Sequence, residues 1–238
     1  MITRREFVAF TSAALALPSA AWAAEEFPSL LDHLILGCSD LEAGVRFFEE
    51  RTGVRAEIGG VHPNRGTMNA LASLGDRHYL EIMAPDPNAK SVRAESLEQV
   101  EALKKLKSPR LLTWAAHPGD MEAFAARLRA ARIPFQGPTP GSRVRPDGRV
   151  LQWKTIELVD SRDGLLPFFI EWSAGSVHPS ADSPQGCRIE RFSVIDPNPA
   201  SLSQTFRSMG LDVRVEAGDR PQLHARIAGP KGTVELTS

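Results

Sequence analysis

Residues 31–53, LDHLILGCSDLEAGVRFFEERTG, hold the stretch on which the fold turns. Leu31–Leu36 is an apolar run of strand length. Asp40 has the chemistry of a helix N-cap, Leu41, Val45, Phe47 and Phe48 form an apolar stripe at helical spacing, and Gly53 is a stop. The segment therefore predicts a strand and a capped helix. Three short strands follow, Val54–Ile58, Thr67–Leu74 and His78–Ala84, separated by Gly-Gly, Asn-Arg-Gly and Gly-Asp turn signals. The unit is β-α-β-β-β.

The same order returns after a charged helical linker, Glu95–Lys107. Ser39-Asp40-Leu41-Glu42-Ala43 matches Gly119-Asp120-Met121-Glu122-Ala123, and Leu80-Glu81-Ile82 matches Ile170-Glu171-Trp172. The second unit reads as strand Leu111–Ala116, helix Met121–Arg132, and strands near Arg143–Arg145, Val150–Leu158 and Pro167–Trp172. A shorter third copy runs through strand Arg188–Ile195, helix Pro199–Met209, and strands Leu211–Glu216, Gln222–Ala228 and Thr233–Leu236. One helix cannot cover both faces of its sheet, so two units are expected to pair around a concave, partly polar face. The fold class is α+β, with two paired modules (31–84 and 111–172, within a domain 28–175) and a third module, 186–238. The third module either extends the fold laterally or pairs across a homodimer.

Composition narrows the partners. The chain has 238 residues, 42% hydrophobic and 24% charged, with 28 Lys plus Arg against 29 Asp plus Glu. That balance gives no basic field for nucleic acid. A small-molecule ligand is expected. Cys38 and Cys187 are too few for a zinc knuckle or a disulfide scaffold, though one bridge between them stays open. Residues 1–23 carry an Arg pair, an apolar run broken by Pro18, and Ala21-Trp22-Ala23 as a cleavage signal. This is the pattern of an export signal peptide. Thr3-Arg4-Arg5-Glu6-Phe7 resembles a twin-arginine (Tat) signal, which implies a periplasmic protein without stable membrane association once the signal is removed.

Strand alternation sorts the candidate site residues. His33 points away from the helix, opposite Leu34 and Leu36, and Glu81 shares its face, opposite Leu80 and Ile82. The repeat extends the same expectation to Glu171, with Phe169 beside it. A carboxylate in the middle of an apolar strand is costly to bury unless it is paired or metal-bound. One imidazole and two carboxylates suit a hard or borderline divalent cation with open positions, and differ from the two-His, one-carboxylate face of iron oxygenases. The position equivalent to His33 in the second unit is Thr113, a poor ligand, and His117 could reach only if its loop folded inward. Pairing of the carboxylates with Arg65, Arg143 or Arg145 is the competing arrangement. Pro138–Gly141 and Pro146–Gly148 read as a loop over the cavity mouth.

Leu31-Asp32-His33-Leu34, the loop from Gly59 to Leu71, Tyr79-Leu80-Glu81, and Leu166-Pro167-Phe168-Phe169-Ile170-Glu171-Trp172 together resemble the glyoxalase-like branch of the vicinal-oxygen-chelate superfamily. The resemblance covers about residues 30–175. It implies paired β-α-β-β-β modules around a cavity, with a divalent metal ion (Zn, Ni, Mn, Fe or Co) on His33, Glu81 and Glu171. Thr113 departs from that pattern. His62 and Asn69 lie in the branch's own loop motif and read either as substrate-binding groups, with Thr67, or as a turn-stabilising network. Trp153 and Phe169 read either as cavity walls or as core.

The expected activity is a metal-dependent isomerase or lyase acting on a small oxygen-rich substrate, with Glu171 as the proton shuttle. The alternative is a non-catalytic protein of the same fold that sequesters a small molecule.

Overall fold

The computed structural model describes residues 26–145 and 147–238; the expected export signal, residues 1–23, lies outside them. Strand β1 (Leu31–Gly37) leads into α1 (Leu41–Thr52), then β2 (Glu57–His62), β3 (Thr67–Ser73) and β4 (Tyr79–Pro85). Helix α2 (Ala94–Lys104) links this module to the second: β5 (Arg110–Ala116), α3 (Met121–Ala130), β6 (Phe135–Val144), β7 (Val150–Leu158) and β8 (Phe168–Trp172). The short α4 (Pro179–Asp182) precedes the third module: β9 (Arg188–Asp196), α5 (Pro199–Met209), β10 (Val215–Ala217), β11 (Gln222–Ala228) and β12 (Thr233–Thr237).

The helices begin and end for local reasons. The Asp40 carboxylate accepts from Ala43 N–H at 2.7 Å and that of Asp120 from Ala123 N–H at 2.9 Å, satisfying donors that the first turn leaves unpaired. Gly53 and Gly210 close α1 and α5 with φ of 80° and 78°, a region that costs other residues a steric penalty.

The first two modules form one eight-stranded sheet in the order β2-β3-β4-β1-β5-β8-β7-β6. Within each module the first and last strands pair in parallel, and β1 pairs antiparallel with β5 at the junction. The order is mirrored about that junction, so the sheet curls into a trough with α1 and α3 behind it. Its edges nearly meet, since a Cβ on Gly60 of β2 would lie 3.2 Å from the Val144 carbonyl oxygen of β6.

The third module forms its own sheet, β10-β9-β11-β12, and packs behind the trough. Trp114 of β5, fully buried, lies 5.2 Å ring to ring from Phe192 and 6.3 Å from Phe206. Its indole N–H donates to the Leu165 carbonyl, so burial leaves no orphan donor. One apolar cluster accordingly runs through all three modules. Cys38 and Cys187 are separate buried thiols, and burial pushes the Cys38 thiol up to about 12. Among the described residues no helix is long and apolar enough to cross a membrane.

Three expectations are corrected. The second strand lies at Glu57–His62, not Val54–Ile58: Gly59-Gly60 continues the strand through a register shift opposite Asn69 instead of turning. Pro138–Gly141 belongs to strand β6, not to a loop; β6 is the sheet edge, where the missing proline N–H groups break no ladder on the open side. Leu211 to Arg214 is a lead-in of which only Leu211 is buried, and only Val215–Ala217 pairs with β9.

Candidate functional site

The trough encloses a cavity of about 1040 Å³ with two unlike halves. Ile35, Met83, Leu103, Leu106, Leu112 and Phe168 pack into an apolar wall, to which the end of α2 contributes Leu103 and the segment after it Leu106. Opposite lie His33, His62, Asn69, Glu81 and Arg143.

Glu81 is the centre of the polar half. Its Oε2 stands 3.6 Å from His33 Nε2 and its Oε1 3.4 Å from His62 Nε2. Asn69 Nδ2 donates to Oε1 at 2.7 Å. The amide orientation is set from behind, because Arg143 Nη1 donates to Asn69 Oδ1 and leaves the NH₂ for Glu81. Burial raises the Glu81 pKa, but His62, His33, the Asn69 hydrogen bond and Arg143 outweigh it, so the carboxyl is held below its ordinary value. It is an ionised base in a nearly dry site.

Both imidazoles are oriented from their far side. His33 Nδ1 meets Asp32 Oδ1 at 2.7 Å, and His62 Nδ1 meets Thr67 Oγ1 at 2.8 Å. With Nδ1 engaged on its far side, each ring turns Nε2 toward Glu81; for His62 the 3.3 Å contact from Asn69 Nδ2 agrees with a bare Nε2. Burial depresses the His62 pKa, and Arg143 and Arg65 reinforce this against the pull of Glu81, so His62 is neutral near pH 7. Tyr79 stacks on His33 at 4.3 Å and Phe168 meets its edge at 5.5 Å, which fixes the ring plane.

Asp32 is fully buried and serves three donors. His178 Nε2 lies 3.2 Å from Oδ2, Trp172 Nε1–H donates to the same oxygen at 3.2 Å, and His33 holds Oδ1. Burial alone would raise its pKa; the hydrogen bonds and charges of His178 and His33 prevail and hold it well below the usual carboxylate range. A register shift between Leu31 and His33 lets two consecutive side chains meet. Strict alternation hides that contact.

The sequence-derived site is brought together in part. His33, His62, Asn69, Glu81 and Trp153 all line the cavity, and buried Thr67 supports His62 from outside the lining. Glu171 and Phe169 do not. Phe169 packs on Phe124 of α3 at 4.2 Å, which fixes the parity of β8 and turns Phe168, Ile170 and Trp172 inward. Glu171 falls on the outer face, where Oε2 accepts from Met121 N–H at 2.7 Å at the start of α3. It is a helix-terminus acceptor, favoured by the helix dipole, and not a cavity ligand. His117 lies outside the lining; Arg145 pairs with Asp182 and Arg65 with Glu157, neither with Glu81.

The remaining donors do not fit the expected metal ion. Only His33 and Glu81 of the three proposed ligands share the cavity, and the second module offers Thr113, Ile170 and Phe168 beside them. Asn69 occupies one Glu81 oxygen and the buried Arg143 guanidinium supplies the neighbouring positive charge. Among the described residues no group of three or more His, Cys, Asp or Glu is placed to hold a metal.

The glyoxalase-like domain model matches residues 31–210. The chain belongs to the glyoxalase-like domain family. The match extends beyond residue 175 into α5 of the third module. No curated protein matches the chain. Among solved structures, a hypothetical protein from Staphylococcus aureus is similar at 18% identity and a TM-score of 0.60, over 87% of this chain and 84% of that one. Methylmalonyl-CoA epimerase from Mycobacterium tuberculosis matches at 19% identity and TM-score 0.43 over 64% of this chain and 92% of its own. A Streptomyces coelicolor methylmalonyl-CoA epimerase variant in complex with 2-nitronate-propionyl-CoA matches at 18% and 0.43, over 64% and 100%. These likenesses concern the fold of the glyoxalase-like domain; the chemistry rests on its own residues.

Sequence reasoning alone missed Asp32, His178 and Trp172 as site members, and named Arg143 only as one of three candidate partners for the carboxylates. For Asp32 a signal was present, an acid inside the apolar run LDHLIL. His178 lies in the connection after β8 and carries no local signal.

Proposed function

We propose that this glyoxalase-like protein is an isomerase or lyase that moves a proton on a small oxygen-rich molecule, with Glu81 as the base. The observation that carries the reading is the position of the ionised Glu81 carboxylate between two imidazole Nε2 atoms, at 3.6 and 3.4 Å, in a cavity large enough for a ligand.

In the reaction Glu81 takes a proton from a carbon next to a carbonyl; the C–H bond breaks and its electron pair moves toward the carbonyl oxygen. His33 Nε2 and His62 Nε2 are the two groups that can relieve Glu81 of the proton and return it elsewhere. An imidazolium at His33 is stabilised by Asp32, the logic of an acid-oriented catalytic histidine. The apolar wall excludes water, which strengthens these interactions. No step passes through a metal ion. The Arg-pair leader in residues 1–23 supports action in the periplasm.

The one-sidedness of the site favours a second reading, ligand sequestration without turnover, because only the first module contributes imidazoles beside Glu81 and the second adds Arg143 alone. Incubation in D₂O with a panel of small 2-hydroxy and 2-oxo compounds, followed by proton NMR, separates the two. Loss of an α-proton signal that requires Glu81 and disappears in Glu81→Gln supports the enzyme; binding without exchange by the wild type supports sequestration.

A further inference from the structure

Arg143 is a charged group in the polar half of the cavity that no acid answers directly. It is 5% exposed and enters from β6 beneath β2. Gly59 and Gly60 make that passage: a Cβ on Gly59 would lie 2.6 Å from Arg143 Nη1, and one on Gly60 3.6 Å from its Cδ. Nη1 donates to Asn69. Nε and Nη2 make no hydrogen bond to a described residue, and neither is sealed away from the cavity. Neighbouring arginines are answered, Arg145 by Asp182 at 2.7 Å and Arg65 by Glu157 at 3.3 Å. Keeping a cation out of water is costly when its nearest carboxylate, Glu81, is reached only through Asn69, and a guanidinium offers a planar fork shaped for a carboxylate.

Building on the proton-transfer reading of this site, we propose that Arg143 anchors the carboxylate of a small organic acid, whose apolar remainder lies against Phe168, Met83 and Leu103. Asn69 sets the spacing, with its Oδ1 on the guanidinium and its Nδ2 2.7 Å from Glu81 Oε1. An acid seated on the free edge of Arg143 brings the carbon beside its carboxylate toward Glu81. Its negative charge also disfavours ionised Glu81 and so strengthens it as a base. A neutral ligand leaves the guanidinium unpaired and is rejected on that account.

The test compares 3-phenyllactate with its amide on the wild-type protein, by calorimetry and by fluorescence of Trp153 and Trp172, which line the cavity. The acid is expected to bind about 10- to 100-fold more tightly, the range of a charge-assisted pair. The preference should vanish in Arg143→Gln, return in part in Arg143→Lys, and survive both Arg65→Gln and a rise in salt from about 0.05 to about 0.5 M, since a buried cation is little screened. Equal binding of acid and amide, absence of binding by either, or a preference removed by Arg65→Gln or by salt would overturn it. If Arg143→Gln does not fold, the wild-type comparison with the Arg65 and salt controls still decides. Acid preference without proton exchange defeats the catalytic reading alone; exchange without acid preference defeats only the role of Arg143.

Discussion

Asp32 Oδ1 lies 2.7 Å from His33 Nδ1 although the two residues are neighbours on one strand. The register shift that joins them also brings His178 and Trp172 onto the second Asp32 oxygen, so one buried carboxylate ties β1, β8 and the segment leading to α4. An Asn in its place keeps one acceptor oxygen but sets an NH₂ against the donors of the other. Asp32→Asn is expected to lower stability at pH 7 by about 3 kcal/mol, the usual consequence of breaking a buried ionic group, measured by urea unfolding. Because the folded pKa is depressed, this stability is full above the ordinary aspartate value and is lost as pH falls toward the folded one. The wild type should therefore lose stability on acidification more steeply than Asp32→Asn, and parallel acid limbs would contradict this.

Glu171 makes a different prediction. As acceptor for the Met121 N–H at the start of α3, it should contribute about 1 kcal/mol through the helix terminus. Glu171→Ala is expected to lower the urea midpoint while leaving ligand affinity and proton exchange unchanged. Loss of exchange with normal stability would return Glu171 to the chemistry.

Gly59 is tested by a single methyl group. Its Cβ would lie 2.5 Å from Asn69 Oδ1 and 2.6 Å from Arg143 Nη1, so both must move. Gly59→Ala should cost about 1–3 kcal/mol through overpacking and weaken ligand binding about tenfold or more. Gly175→Ala, where nothing lies within 4 Å, is the control expected to change neither. Unaltered binding in Gly59→Ala would show that the Arg143–Asn69–Glu81 relay is not needed.

The pH profile follows from Glu81. Its folded pKa is lowered, so the working carboxylate persists down to below the ordinary glutamate value of about 4.3 and is lost only under more acidic conditions. The acid limb of activity set by Glu81 itself should lie below about pH 4.3, separate from any limb of the imidazoles that take its proton. An acid limb above that value that persists in the His33→Gln, His62→Gln double variant would assign the base to another group.

The architecture was legible because its signals are local and repeated. Asp40 and Asp120 announce helix starts by side-chain chemistry, and Leu34 and Leu36, or Leu80 and Ile82, fix the parity of their strands by burial. The inward pointing of His33 and Glu81 follows directly. Parity was not legible in β8, where Leu166-Pro167-Phe168-Phe169-Ile170 is apolar on both faces and offers no alternation to read. The repeated Leu-Glu-Ile pattern then pointed Glu171 to the wrong side. Arg143 could not be singled out from Arg65 and Arg145 for another reason: its destination depends on the curl of the whole sheet, which brings edge strands β2 and β6 together.

The most direct measurement is deuterium incorporation at the carbon beside the carboxylate of a turned-over 2-hydroxy acid, followed by NMR after divalent ions have been stripped with a chelator. The stripped wild-type protein should exchange at its original rate, and Glu81→Gln, folded and still binding the acid, should exchange at least about a hundredfold more slowly. Exchange that survives Glu81→Gln, or that stops on chelation and returns with added metal, would contradict Glu81 as a base acting without a metal ion.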